Sequence, residues 1–243
     1  MVETLISDKN PLLKEVRRLA AGGAPGEDRL ALAEGPRLLD EALRSRIAIH
    51  AVILAESAPE IPGLGTTRVV RVLDALFNRL ASTESPQGVL ALVRLPEWKN
   101  LLSGVPLVVV LDGVQEPGNA GAILRAAEAF GATGAVFLKG TVSASNPKCL
   151  RASAGSVFRL PIITEIPAGL ELYAADPRQG LEVSRADLKV PCGIVIGGEG
   201  SGVRAELLAR STGVKIPTAG VESLNAAVAA GILLYEARRQ RNA

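Results

Sequence analysis

The chain has 243 residues, enough to bury a real core and to divide into two small domains. Hydrophobic residues make up 48% of it, but Gly, Pro or charge interrupts every apolar run before the roughly 18 residues of a membrane span, which excludes a membrane helix. A formal charge of +2 permits a nucleic-acid partner without demanding one, and with aromatics at 3% any RNA contact must lean on Arg, Lys and backbone groups.

The opening residues, Met1 to Lys9, include an early acid and no long apolar core, so they do not read as a signal peptide. Leu12, Leu13, Val16 and Leu19 recur at helical spacing between Asn10 and Ala21, and the Gly22–Gly26 stretch ends that helix. A second helix is expected over Pro36 to Ser45, a strand over Ala48 to Leu54, a short helix over Leu73 to Leu80 and a closing strand over Gly88 to Val93. His50, the one histidine, falls in a predicted strand and reads as structural. Residues 1–95 therefore form a small α/β domain. The stretch 96–105, flanked by Pro96 and Pro106 and lacking periodicity, is the expected linker.

From residue 106 to 243 strands and helices alternate. Leu107 to Leu111 is a β-branched run suited to a strand buried on both faces, followed by a loop, an N-cap at Asn119 and a helix to Phe130. Further strands are expected at Ala135–Leu138, Leu172–Ala175 and Gly193–Ile196. Further helices are expected over Asn146–Ser153, with Pro147 in its first turn, and from about Arg204. After Ile216-Pro217, Ser223 stands where an N-cap belongs, and an apolar helix follows. Leu224, Val228, Ile232 and Tyr235 share one of its sides, which marks it as buried or part of an interface. This alternation implies a parallel sheet with helices on both faces. Cys149 and Cys192 lie in no CxxC pattern, so neither a disulfide framework nor a zinc site is expected, and the cytoplasm is the expected location.

Ligands of such sheets collect at the carboxyl ends of the strands, where three loops are rich in Gly or Asn. The first contains Asn119, Gly121 and Arg125, which supply an amide and a guanidinium fork, the latter suited to a phosphate. The second, Gly197-Gly-Glu-Gly-Ser-Gly202, has four glycines in six positions, but neither a Lys-Ser/Thr pair nor GxGxxG spacing, which weakens the nucleotide-phosphate and dinucleotide readings. The third runs from Ile216 through Gly220 to Ser223-Leu-Asn225.

Together the three, Asn-x-Gly-x-x-x-Arg, Gly-x-Glu-Gly-x-Gly and Ile-Pro…Ser-Leu-Asn, resemble the motifs of the SpoU (TrmH) family of RNA ribose 2′-O-methyltransferases. Arg151–Ser156 and Phe158–Pro161 add a further family-like phrase. Glu34–Leu39 and Ser82–Ala91 are similar to the substrate-binding domain that precedes the catalytic domain in many of these enzymes. The resemblance implies an α/β-knot domain with a deep trefoil knot, preceded by a ribosomal-protein-like RNA-binding domain. It also implies S-adenosylmethionine as cofactor, RNA as substrate, with ribosomal RNA of the large subunit favoured over transfer RNA, and a homodimer through the C-terminal helix. Carried over, the cofactor-binding residues are Gly197, Gly198, Gly202, Ile216 and Leu224. The catalytic set is Arg125, Asn119, Glu199, Ser223 and Asn225, with Glu199 pairing with Arg125 or fixing its loop. Thr218 and Ala226-Ala227 depart from the family pattern, and Thr218 would make the pocket wall more polar if it faced the ligand. Arg238, Arg239 and Arg241 read either as phosphate contacts or as a solvated basic tail. The rival reading is a non-catalytic RNA-binding or ribosome-assembly protein on the same fold.

Overall fold

The computed structural model describes residues 2–5, 9–98 and 104–242. It forms two units, Met1–Glu97 with Ser145–Phe158, and Trp98–Ala144 with Arg159–Ala243. Residues 99–103, the middle of the expected linker, lie outside the described residues. In chain order come β1 (Val2–Leu5), α1 (Pro11–Ala20), β2 (Leu30–Glu34), α2 (Pro36–Arg44), β3 (Ile49–Ala55), β4 (Arg68–Val72), α3 (Asp74–Leu80) and β5 (Val89–Arg94). Next are β6 (Leu107–Asp112), α4 (Pro117–Ala129), β7 (Gly134–Phe137), α5 (Pro147–Ser153), β8 (Ile162–Ile163), β9 (Glu171–Ala175) and β10 (Leu181–Glu182). The last are β11 (Cys192–Gly197), α6 (Ala205–Leu208), β12 (Thr212–Lys215) and α7 (Ala226–Arg241).

In the first unit the sheet order is β1-β4-β3-β5-β2, with β5 antiparallel to both its neighbours and the other pairs parallel. The helical stripe Leu12, Leu13, Val16 and Leu19 joins Leu76, Phe77 and Leu80 of α3 over Leu32, Ile53, Val70 and Leu90. The alternate strand residues Ala31, Ala33, Val52, Leu54, Ala91 and Val93 are equally buried, so the sheet is covered on both faces. His50 sits in β3 at the register shift against β5, with its side chain exposed.

Helix α5 comes from the range 106–243 expected as one domain, yet it groups with the first unit and packs on β2. Asn146 caps it by accepting from the Lys148 N–H at 2.9 Å. From it Arg151 donates to Glu34 at 3.1 Å and to the Ser82 hydroxyl at 2.7 Å. Glu34, almost wholly buried, also accepts from the N–H and hydroxyl groups of Ser82 and Thr83. A carboxylate taken out of water needs such partners, since an unpaired one costs several kcal/mol. Both family-like phrases of the N-terminal half, and the Arg151 phrase, thus meet at one buried charge.

The second unit is a seven-stranded sheet, β10-β12-β9-β11-β6-β7-β8, parallel throughout. On one face Leu207 of α6 joins Val108, Val110, Val136, Leu172, Ala174 and Val195. α7 packs on β11 and on α4, burying Ala226, Ala230, Leu233, Leu234 and Ala237. The side expected to be buried or part of an interface is open in the single chain: Val228 is 51% exposed, Ile232 37% and Tyr235 56%.

The far end of α7 is locked by polar contacts. Arg241 donates to the carbonyls of Leu188 and Val105 at 2.7 Å, Val190 at 2.6 Å and Pro106 at 3.1 Å. Gln240 accepts from the Leu188 N–H at 3.0 Å and donates to the Ala186 carbonyl at 3.1 Å. Arg241 is therefore a structural clasp and neither a free tail nor a phosphate contact, while Arg239 pairs with Glu236 on its own helix. Among the described residues no helix is long and apolar enough to cross a membrane, and no cluster of residues could hold a metal. Because charged hydrogen bonds contribute about 1.5–3 kcal/mol each, Arg241→Ala is expected to destabilise the protein by about 3 kcal/mol in urea unfolding. Arg239→Ala should leave the midpoint unchanged within error.

Candidate active site

The parallel pairing of β6 with β11 runs from Leu107↔Cys192 to Asp112↔Gly197, so both strands end side by side. Their carboxyl-terminal loops are interlocked by glycines. Gly113 adopts φ +74°, and Gly198 lies so close to it that a Cβ on Gly198 would run into the Gly113 carbonyl oxygen. A Cβ on Gly197 would likewise collide with the backbone of Gly202 and Val203. The glycine-rich loop is thus a tight return, closed by a bridge between Gly198 and Gly202, and its glycines are required by backbone contact. The first loop is steadied from the turn after β7, where Thr141 accepts from the Gly113 N–H at 3.1 Å and donates to the Leu111 carbonyl at 2.9 Å.

Above these loops three side chains from distant parts of the sequence meet. The Asn119 and Asn225 amides both donate to one oxygen, Oε1, of Glu199, the latter at 3.1 Å, and Asn225 also donates to the Asn119 side-chain oxygen at 3.0 Å. The Asn225 oxygen accepts from the N–H groups of Ala227 and Val228 at 2.9 and 3.3 Å, which makes Asn225 the N-cap of α7. The cap expected at Ser223 is displaced by two residues, because the helix begins only at Ala226. The cap expected at Asn119 is likewise corrected: Pro117 presets the first turn of α4 and Glu116 caps it, leaving the Asn119 amide free for the network.

Glu199 is therefore held by two amides and does not pair with Arg125. Arg125 lies six residues beyond Asn119 on α4, about 9 Å further along the axis and roughly 120° around it. It is exposed and has no ion-pair or side-chain hydrogen-bond partner among the described residues. Ser223 is exposed, and Ile216 and Leu224 are half-buried on the loop before α7. Thr218 turns its hydroxyl to the Val221 carbonyl at 2.9 Å, so its polarity is spent within that loop. Gly121, in the first loop motif, is buried within α4.

One residue of the site went unmarked in the sequence. Asp112, at the end of β6, is 1% exposed and accepts from the Arg204 N–H at 2.8 Å and from Arg204 Nε at 2.6 Å. An acid closing a β-branched buried strand was the available signal. The two thiols take no part in this chemistry: both are buried and free, with burial pushing Cys149 up to about 12 and Cys192 upward despite the Arg241 guanidinium beside it.

Comparison with known proteins accords with this geometry. The MRM3-like substrate binding domain matches residues 10–91, and the SpoU rRNA Methylase family matches residues 106–235. An uncharacterised tRNA/rRNA methyltransferase of Synechocystis is 34% identical over 99% of this chain and 95% of its own length. The 23S rRNA (guanosine(2553)-2′-O)-methyltransferase RlmP of Bacillus subtilis is 33% identical over 96% and 98%. The crystal structure of an AdoMet-bound rRNA methyltransferase from Sinorhizobium meliloti superposes with a TM-score of 0.83 at 28% identity, covering 98% of each chain. With more than half its length matched and full-length relatives of this kind, the chain belongs to the SpoU rRNA Methylase family.

Proposed function

We propose that this protein transfers the methyl group of S-adenosylmethionine to a ribose 2′-hydroxyl in RNA, and that its substrate is large-subunit ribosomal RNA. The observation that carries this reading is the meeting of Asn119, Glu199 and Asn225, one from each family motif, over a glycine-rich turn. The ribosomal substrate is supported by relatives such as RlmP and by the match of residues 10–91 to a substrate-binding domain, which gives the first unit the task of holding RNA. The deep trefoil knot belongs to the same proposal, in keeping with an all-parallel sheet whose last strand, β12, is inserted between β10 and β9.

The loops fit the cofactor. Gly200, Gly202 and Gly220 all have positive φ, and nothing lies within 4 Å of where a Cβ would stand, so both loops have an open side at these positions. Gly197, Gly198 and Gly202 on one side and Ile216 and Leu224 on the other would hold it, with glycine backbone and aliphatic walls against the adenine. When bound, S-adenosylmethionine supplies a methyl group already activated by its sulfonium, so the chain must mainly orient the hydroxyl and favour its ionised form. Arginine stays protonated in proteins and is no base. Arg125 accordingly grips the phosphate beside the target ribose and stabilises the developing alkoxide. Asn119, Glu199 and Asn225 fix the loops relative to one another, and Ser223 orients a neighbouring group.

The working form is a homodimer built on α7. Val228, Ile232 and Tyr235 form an exposed apolar stripe, Tyr235 is braced edge-on by Phe130 with ring centroids 5.7 Å apart, and Gly231 has open space over it. Ala226 and Ala230 of the same helix are buried within the chain. The cytoplasm is its place of action, in keeping with two unpaired cysteines.

Calorimetry should detect S-adenosylmethionine binding, and mapping of ribose methylations in RNA from cells with and without the protein should reveal a lost site in large-subunit ribosomal RNA. Loss confined to transfer RNA would overturn the substrate, and no cofactor binding would overturn the activity. Arg125→Ala is expected to slow single-turnover methylation about 100-fold while leaving cofactor affinity within twofold; an unchanged rate would remove its assigned role. In sedimentation, the wild type should run at twice the monomer mass and the double variant Val228→Asp, Ile232→Asp as a folded monomer. A monomeric wild type at micromolar concentration would end the dimer proposal.

A further inference from the structure

The loop that presents Glu199 is fastened at both ends to a single residue. Its first N–H, from Gly198, donates to the Asp112 main-chain carbonyl at 3.0 Å. Its last residue, Arg204, donates to the Asp112 carboxylate twice, from the main-chain N–H at 2.8 Å and from Nε at 2.6 Å. Residues 198–204 thus form a ring closed on the end of β6. The Asp112 side chain has no solvent exposure, while that of Arg204 is 55% exposed. A carboxylate buried at the end of an apolar strand is costly unless its oxygens are engaged; here one accepts from the main chain and the other from the guanidinium. The Arg204 N–H is also the donor just ahead of the first turn of α6, which has no side-chain cap of its own, so the same carboxylate sets where α6 begins.

We propose that Asp112 is a positioning residue of the methyl-transfer site, acting through Arg204 to hold the glycine-rich loop in the shape that binds the cofactor and delivers Glu199 to Asn119 and Asn225. This rests on the functional reading above. Asp112 touches neither the Asn119–Glu199–Asn225 network nor any group assigned to substrate; its effect runs through the loop. Three of the loop's residues, Gly198, Gly200 and Gly202, are glycines, and two of them have positive φ, so the backbone supplies little stiffness by itself. Fastening both ends replaces that missing stiffness, and a site held ready before the ligand arrives loses less entropy on binding. Glu199 itself forms no ion pair with Arg204; the acid that Arg204 pairs with is the buried one.

The test uses Asp112→Asn, Arg204→Gln and the double variant of the full-length protein, read in two ways. Amide hydrogen exchange without ligand reports the loop directly: protection should fall at 198–204 in each variant while the strands β6, β9 and β11 keep theirs. Calorimetric titration with S-adenosylmethionine should show the dissociation constant rising about tenfold or more in each single variant. The double variant should be no worse than either, because the two side chains act as one unit. A merely structural role would lower the unfolding midpoint with uniform loss of protection and an unchanged dissociation constant, and that result would overturn the proposal. So would additive effects in the double variant. Should Asp112→Asn fail to fold, Arg204→Gln, altered at an exposed side chain, decides alone: unchanged loop protection and affinity sink the idea. Selective loss of loop protection in a protein whose wild type binds no S-adenosylmethionine would instead overturn the cofactor reading.

Discussion

The parallel pairing of β6 with β11 is the constraint from which the rest of the catalytic unit follows. Six residue pairs in register bring Asp112 and Gly197 level, and neither strand can shift without breaking that ladder. The loops that leave these two ends must then share one small volume, and the glycine at 198 allows its backbone to touch that of Gly113. Only because they touch can Asn119, in the first turn of α4, reach Glu199. The third loop is brought to the same place by α7, which packs on β11 and starts at the Asn225 cap. Sheet register, loop closure and the amide–carboxylate–amide contact are therefore successive consequences of one pairing.

Charges are placed with unequal freedom. Glu34 and Asp112 are buried and each is engaged by an arginine and by main-chain donors. Arg241 is spent on four backbone carbonyls at the end of α7. Arg125 by contrast stands exposed and unpaired among the described residues. An arginine meant to grip a phosphate must not already hold a carboxylate, whereas one meant to fasten a loop must. The formal charge of +2 conceals this division, since it counts both kinds alike.

Division into units was less legible than the motifs. Residues 145–158 continue the rhythm of the C-terminal half, and nothing in their apolar spacing says that α5 will rest on β2. What decides it is the Glu34 carboxylate, which needs a cation that α5 happens to carry at Arg151. Strands β2 and β4 also escaped the linear reading. β2 is buried along its whole length and β4 only partly alternates, so the period-two signal that marks a half-exposed strand was weak.

By itself the sequence determined the alternation of strands and helices, the order of the three glycine- and asparagine-rich loops and the family they announce, because each of these depends on local spacing alone. Tertiary structure decided which side chain caps which helix, that Glu199 is held by two amides instead of Arg125, and that Arg241 is a clasp. It also decided that the apolar side of α7 stands open and that Asp112 fastens the loop of Glu199. These outcomes turn on competition among donors and acceptors far apart in the chain, as when Pro117 and Glu116 settle the start of α4 and so release the Asn119 side-chain oxygen to a donor 106 residues away. Spacing along a chain does not encode which of several nearby donors an oxygen will accept; only the folded geometry does.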